Sequence, residues 1–469
     1  MTPTTVHRLA ELPRTARHKQ GGPEGPPLRP SPDKGVRWWA MTVLLVCAVI
    51  AMACHSSRGS TETMNTLAER YVRLVLDLGQ HDADYVDAYY GPPEWRKDAE
   101  SKKAPLADIA ARADALAADI DAARPSSDAE ELVHLRHDYL RGQVSALRAR
   151  AAMLMGRHFR FDEESKALYD AVAPIHAERE FADTLAQLER HLPGSGSLAD
   201  RFDRFRRRFV IPPERLAATF NAAIDGCRSR TLQHIALPAG ESFTVEYVTN
   251  KSWSGYNWYQ GRYRSLIQVN TDLPVFVERA TDLACHEGYP GHHVYNVLLE
   301  KNLVRDRGWI EFTVYPLFSP QSLIAEGTAN YGVEVAFPGA DRETFERTVI
   351  FPTAGLDPAG ADEYYTVLGL IDRLSYAGNE AARRYLDGQI DANGASRWLE
   401  RYGLMATSRA EQRVRFIDQY RSYVINYNLG KDMVAHSIES RGGTVANPQR
   451  RWELFAQLIS SPRLPSGLQ

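Results

Sequence analysis

The sequence predicts a mainly α-helical protein with one small antiparallel β-sheet. Three observations lead there. Apolar residues recur every three to four positions from residue 64 to about 235, the spacing of a helix with one buried face. The same period returns after residue 361, through Tyr364, Leu368 and Ile371, and again from Trp398 to Tyr402. Strand-like alternation is confined to two short stretches, Phe243 to Val248 and Ser265 to Thr271.

The chain of 469 residues is long enough for a large core and one to three domains. Its 25% charged and 44% hydrophobic content is that of a globular protein. A net charge of −3 gives no reason to expect nucleic acid as a partner. The four cysteines, Cys47, Cys54, Cys227 and Cys285, form neither a disulfide framework nor a cysteine-type metal site. Cys285 reads as a small buried side chain.

The N-terminus predicts export. Residues 1–37 are rich in Pro, Gly and Arg, with seven Lys/Arg against three Asp/Glu, and read as a disordered leader. Residues 38–54 follow as an apolar run ending Ala51-Met52-Ala53-Cys54. A basic flank, a short apolar core and small residues before a break describe a secretory signal. Small residues directly before Cys54 also fit a lipoprotein cleavage site, and an uncleaved anchor is the alternative. Residues 55–63 form a polar tether. The protein is therefore expected outside the cytoplasm, in the periplasm or cell envelope, joined to the membrane through an N-terminal lipid or anchor.

The part from 64 to 237 is read as helical. Leu67, Tyr71, Leu74 and Leu78 mark its first helix, and Ile109, Ala113, Leu116 and Ile120 a later one. A third runs through Leu132, Leu135, Tyr139 and Leu147. Its His134 and His137 lack acidic neighbours on their face and are expected in solvent. The Tyr85–Trp95 stretch between the early helices is an aromatic loop, able to line a groove or simply to pack.

The part from 238 to 469 carries the chemistry. After the first strand, a Trp/Tyr/Asn/Gly-rich segment around Trp253 to Tyr259 reads as a loop. After the second strand comes His286-Glu287-Gly288-Tyr289-Pro290-Gly291-His292-His293. The zinc-peptidase pattern H-E-x-x-H places two histidines four apart on one helix, with the Glu as general base. Here the fourth position after His286 is Pro290, which cannot ligate. On a straight helix, positions six or seven apart are separated by about 9–10.5 Å, too far for two nitrogens that each bind zinc at about 2.0–2.1 Å. Pro290 interrupts the helical ladder and Gly291 permits unusual backbone angles. A bend there could return His292 or His293 to His286. One of the two is expected to ligate, and His292 is favoured because it directly follows Gly291.

A separate helix from Ser322 to Glu334 carries Glu326, 40 residues beyond His286. Two His and one Glu from a second helix leave an open position on zinc for water. Leu323-Ile324-Ala325 before it and Gly327 after it argue that Glu326 points inward. Near the C-terminus, Arg421 to Lys431 is dense in polar aromatics. Tyr427 is the candidate donor to a tetrahedral oxyanion, with Tyr423 behind it and His436 as a further candidate.

The H-E-x-x-P-G-H-H string, the downstream Glu326-Gly327 helix and the late Tyr427-x-x-Gly430 segment resemble the bacterial domain-of-unknown-function family numbered 885, over about residues 61–465. That family is similar to gluzincin metallopeptidases. The resemblance implies a large helical peptidase-like fold around a deep cleft, and a zinc hydrolase acting on peptides. It carries His286 and Glu287 to their motif positions. Glu326 matches the expected ligand, although Glu326-Gly327-Thr328 departs from the family's Glu-Gly-Trp form. The expected site is therefore Glu287 and Tyr427 as catalytic residues, with His286, one of His292 and His293, and Glu326 on Zn²⁺. A zinc hydrolase of a non-peptide amide and a non-catalytic, membrane-tethered helical binding protein are the alternatives.

Overall fold

Helical periodicity in the sequence becomes helix in three dimensions through most of the chain. The computed structural model describes residues 63–251 and 253–468. The leader 1–37, the 38–54 segment with Cys54, and the tether up to residue 62 lie outside the described residues. The described residues belong to one compact unit and are mainly α-helical. Among them, no helix is long and apolar enough to cross a membrane.

The first helix, over 63–78, buries Leu67, Tyr71, Leu74 and Leu78. Helices Leu106–Ala122 and Glu131–Leu154 pack on each other. The first of these buries Ile109, Ala113, Leu116 and Ile120, each such Leu or Ile contributing roughly 1.5–3 kcal/mol. His137 departs from expectation. It is buried, with Nε2 2.9 Å from the Ile120 carbonyl oxygen, so a partner on the neighbouring helix supplied what its own face lacked. Beside it, buried Arg136 makes a two-pronged contact with buried Glu311, at 2.6 and 3.1 Å.

Five strands are present among the described residues. β1 (Val86–Tyr89) lies in the aromatic loop and pairs antiparallel with β5 (Val314–Pro316). β2 (Ser242–Val248), β3 (Gly255–Gly261) and β4 (Arg264–Asn270) form a mixed sheet in the order β2-β4-β3. The two strands legible in the sequence, β2 and β4, pair parallel. The antiparallel partner of β4 is β3, which comes from the segment read as a loop. β3 thus forms one edge of the sheet, beside the turn that carries His286 and Glu287.

The buried centre is the pairing of two helices, Pro320–Ala336 and Ile425–Glu439. Almost every residue of the first is buried, which fits its apolar composition. Between this pair, the β1 and β3 strands and the Thr407–Tyr420 helix opens a cleft of about 790 Å³.

Candidate metal centre

The histidine stretch achieves its bend through a change of helix type. The Val277–Leu283 helix continues into a wider π-helical turn, Ala284–Gly288. The Tyr289 amide donates to the Ala284 carbonyl at 3.2 Å and the Gly291 amide to the Cys285 carbonyl at 2.9 Å. The Tyr289–Pro290 peptide bond is cis. Gly291 then presses against the turn it has just left. A Cβ there would lie 1.9 Å from the His286 carbonyl oxygen, so only glycine fits this close approach. His292 opens the next helix, His292–Leu299, and its Nε2 stands 3.1 Å from His286 Nε2.

Glu326 completes the group from the Pro320–Ala336 helix. Its Oε2 is 3.4 Å from His286 Nε2 and 3.9 Å from His292 Nε2. The three ligand atoms lie within 4.8 Å of one another. Glu326 Oε2 is buried and has no hydrogen-bond partner among the described residues. Ligands about 2.0–2.1 Å from a tetrahedral ion stand about 3.3 Å apart. The observed separations surround that value, and the orphaned oxygen points where an ion would be held. The residues present fit a divalent metal.

Their neighbours fix their orientation. Asn330, one turn beyond Glu326, donates its Nδ2 to the Tyr427 carbonyl at 3.2 Å and sets its Oδ1 3.1 Å from His286 Nδ1. That carbonyl-type oxygen calls for a proton on Nδ1, leaving Nε2 with its lone pair toward the group. The Tyr423 hydroxyl donates to Glu326 Oε1 at 2.9 Å. Burial pushes His292 down to about 4, helped by the charge on His286. Burial also opposes charge on His286, but the Glu326 contact and the Glu287 charge outweigh it and raise that imidazole. For Glu326 burial acts upward, and the two imidazoles and the Tyr423 hydroxyl bring the carboxyl below its ordinary value. A neutral His292 and an ionised Glu326 are ligand-ready forms.

His293 takes no part in this group. It is fully buried, with Nδ1 2.9 Å from Ser265 Oγ and Nε2 3.0 Å from Glu241 Oε2. Of the four candidate ligands, the structure brings His286, His292 and Glu326 together and turns His293 into the sheet side of the helix.

Glu287 lies beside the group, 4% exposed. Its carbonyl accepts from Asn257 Nδ2 at 2.7 Å. Its side chain rests on Gly255, where a Cβ would come within 2.9 Å of Oε1. β3 therefore holds the candidate base from both ends. Burial raises its carboxyl to about 7, with His286 acting downward and Glu326 upward. Tyr427 lines the cleft, edge-on to Tyr423 with ring centroids 5.8 Å apart. Its hydroxyl has no hydrogen-bond partner among the described residues. His436 is exposed and does not line the cleft.

Three features escaped sequence reasoning. Asp87, on β1, lines the cleft, and burial raises its carboxyl to about 8 with Glu326 and Glu287 adding to the effect. An acid within the aromatic Tyr85–Trp95 loop was the available signal. Arg409 and Arg413 also face the cleft and belong to no motif. Cys285 is not a free thiol: it forms a disulfide with Cys227, Cα atoms 5.5 Å apart. The bond joins the Leu216–Leu232 helix to the turn bearing His286, and the 58-residue separation hid the pairing.

No family model and no curated protein matches the chain. Among solved structures it is similar to a candidate lipoprotein from Colwellia psychrerythraea, at 14% identity and TM-score 0.46, over 79% of this chain and 70% of that one. It is also similar to an M32 carboxypeptidase from Deinococcus radiodurans R1, at 14% identity and TM-score 0.44, over 88% and 96% of the two chains. A candidate lipoprotein of unknown function from Shewanella oneidensis is similar at 12% identity and TM-score 0.41, over 79% of each chain.

Proposed function

We propose that this protein is a zinc-dependent metallohydrolase, and within that class a peptidase of the kind implied by the resemblance to family 885. The observation that carries the reading is the convergence of His286, His292 and Glu326 on one point of the cleft, with Glu287 beside them. Two imidazoles and one carboxylate are a ligand set suited to catalytic zinc. A zinc ion held there would supply Lewis acidity toward a substrate carbonyl and a water molecule.

The chain supplies the rest. Glu287 takes a proton from water at its carboxylate and delivers it to the leaving amine. Asn257 anchors the Glu287 backbone, and Gly255 leaves the room its carboxylate occupies. Asn330 and Tyr423 orient His286 and Glu326. Tyr427 presents a free phenol to the cleft, able to donate to the oxyanion of a tetrahedral intermediate. The edge of β3 is available to an extended peptide through backbone hydrogen bonds.

Export is part of the same proposal. The Cys227–Cys285 bond supports an oxidising compartment, where disulfides persist. Cys54 as a lipid-bearing terminus would tether the protein to the membrane.

Metal analysis of the purified protein tests the site. About one zinc per chain is expected in the wild type and in Glu287→Gln, with loss in His286→Ala. Glu287→Gln should also lose roughly 10²–10⁴-fold in turnover of a peptide library. Equal zinc in wild type and His286→Ala would discard the site, and full turnover in Glu287→Gln would discard the base.

A further inference from the structure

The cleft is lined by several cations, and most of them have acidic partners. Arg279 meets Asp282 at 3.1 Å. Arg342 meets Asp282 at 2.8 Å and Glu346 at 2.9 Å. Lys431 meets Glu334 at 2.7 Å. Arg409 and Arg413 differ: neither has an ion-pair partner among the described residues. They lie four apart on the Thr407–Tyr420 helix, so their side chains rise from the same face. The polar contact of Arg409 is with Gln412 Oε1 at 2.8 Å. The Arg413 guanidinium lies over the rings of Phe416 and Tyr427, at 4.6 and 5.9 Å from their centroids.

Two guanidinium groups in a cleft, each without a counter-charge, are unfavourable in the free protein. Burial, and for Arg409 also the charges of Arg413, Arg279 and Arg206, makes their protonated forms less favourable than usual. An anion arriving there relieves both effects. A guanidinium offers paired N–H groups in a plane, the complement of a carboxylate's two oxygens. One of the two rings beneath Arg413 is that of Tyr427, whose neighbour Tyr423 holds Glu326. The anion site therefore adjoins the metal group within one cleft.

We propose that Arg409 and Arg413 form a carboxylate-binding subsite that selects peptides carrying a carboxylate, either the C-terminal one or an acidic side chain. The inference rests on the peptidase reading for the fate of the substrate, and on the arginine geometry for its binding. Both guanidinium groups donate to the carboxylate and hold that part of the peptide while the neighbouring amide lies against the metal group.

Calorimetric titration of zinc-loaded Glu287→Gln protein tests binding without turnover. The probes are N-acetyl-pentaalanine as the free acid, the same peptide as the C-terminal amide, and that amide with one internal alanine replaced by glutamate. One or both carboxylate-bearing peptides should bind about tenfold or more tighter than the neutral amide. Whichever does so identifies the source of the carboxylate. Adding Arg413→Gln or Arg409→Gln should reduce that preference to about threefold or less, while affinity for the neutral amide stays within about twofold. Arg413→Lys should restore part of the preference. Arg409 still reaches solvent, so its variant remains informative if replacement of Arg413 impairs folding. No preference in the starting protein, or a preference that survives both arginine replacements, overturns the subsite. Wild-type turnover of the same peptides is read separately. Preference without cleavage would reject the peptidase reading and leave the subsite standing.

Discussion

Gly327 and Gly430 meet where the helix carrying Glu326 crosses the helix carrying Tyr427. A Cβ on Gly327 would lie 2.4 Å from the Gly430 carbonyl oxygen, and one on Gly430 would lie 2.8 Å from the Leu323 carbonyl oxygen. These obstacles are backbone atoms, so relief requires the helices to separate. Gly327→Ala is therefore expected to lower stability by about 1–3 kcal/mol and, by displacing the adjacent Glu326, to reduce zinc content. Urea denaturation and metal analysis read the two effects. An unchanged midpoint with full zinc would contradict this account of the crossing.

That crossing also shows how far the sequence could be read. Glu326-Gly327 and Tyr427-x-x-Gly430 were visible as separate signals, because each is a local pattern on a helical period. Their contact was not visible, since nothing in either segment specifies its partner 103 residues away. The choice between His292 and His293 was similarly open. Both follow Gly291 within two residues, and the π-helical turn and the close return of Gly291 decide which ring meets His286. From the sequence alone β3 reads as a loop, because its Trp, Tyr, Asn and Gly content suits turns as well as strands. Once β3 occupies the antiparallel side of β4, β2 can pair only on the other edge, where it runs parallel.

The Cys227–Cys285 disulfide ties the histidine turn to a neighbouring helix, so its loss should register at the site as well as in stability. Closing a loop of 58 residues corresponds to about 4 kcal/mol in the chain-entropy model. The double variant Cys227→Ser/Cys285→Ser is expected to unfold at lower urea concentration and to release zinc more readily to a chelator. Thermal melts and chelator titration on oxidised wild type provide the comparison. Equal chelator resistance would separate the bond from the metal site.

Acid stability should report on Glu241, the partner of His293. Its carboxylate is 5% exposed and contacts Arg228 at 3.0 Å, His293 at 3.0 Å and the Tyr289 hydroxyl at 2.7 Å. Burial acts to raise its pKa, but hydrogen bonds from His293, Tyr289 and Arg228 outweigh it and hold the group down at about 2, against 4.5 ordinarily. The unfolded chain thus takes up this proton first as pH falls. The stabilisation is fully present above about pH 4.5 and is lost between there and pH 2. Glu241→Gln lacks this contribution. The stability gap between wild type and variant should be constant near neutrality and narrow below pH 4.5. Urea denaturation of metal-stripped proteins at several pH values measures it without interference from metal release. A gap that widens on acidification would reverse the assignment.

Tyr423 and Tyr427 should fail in different ways, because one hydroxyl is engaged and the other faces open cleft. Tyr423→Phe removes the donor to Glu326 Oε1, leaving a buried carboxylate less well held. Zinc affinity should fall about 10–100-fold, and activity should recover when zinc is supplied in excess. Tyr427→Phe leaves the ligands and their partners intact, since Asn330 bonds to the Tyr427 backbone carbonyl and not to its phenol. Zinc affinity should therefore stay within about twofold of wild type, while losing the proposed oxyanion donor should lower kcat by about 10²-fold, unrescued by added zinc. Zinc rescue is the discriminating measurement. If Tyr427→Phe were rescued and Tyr423→Phe were not, the two tyrosines would exchange roles.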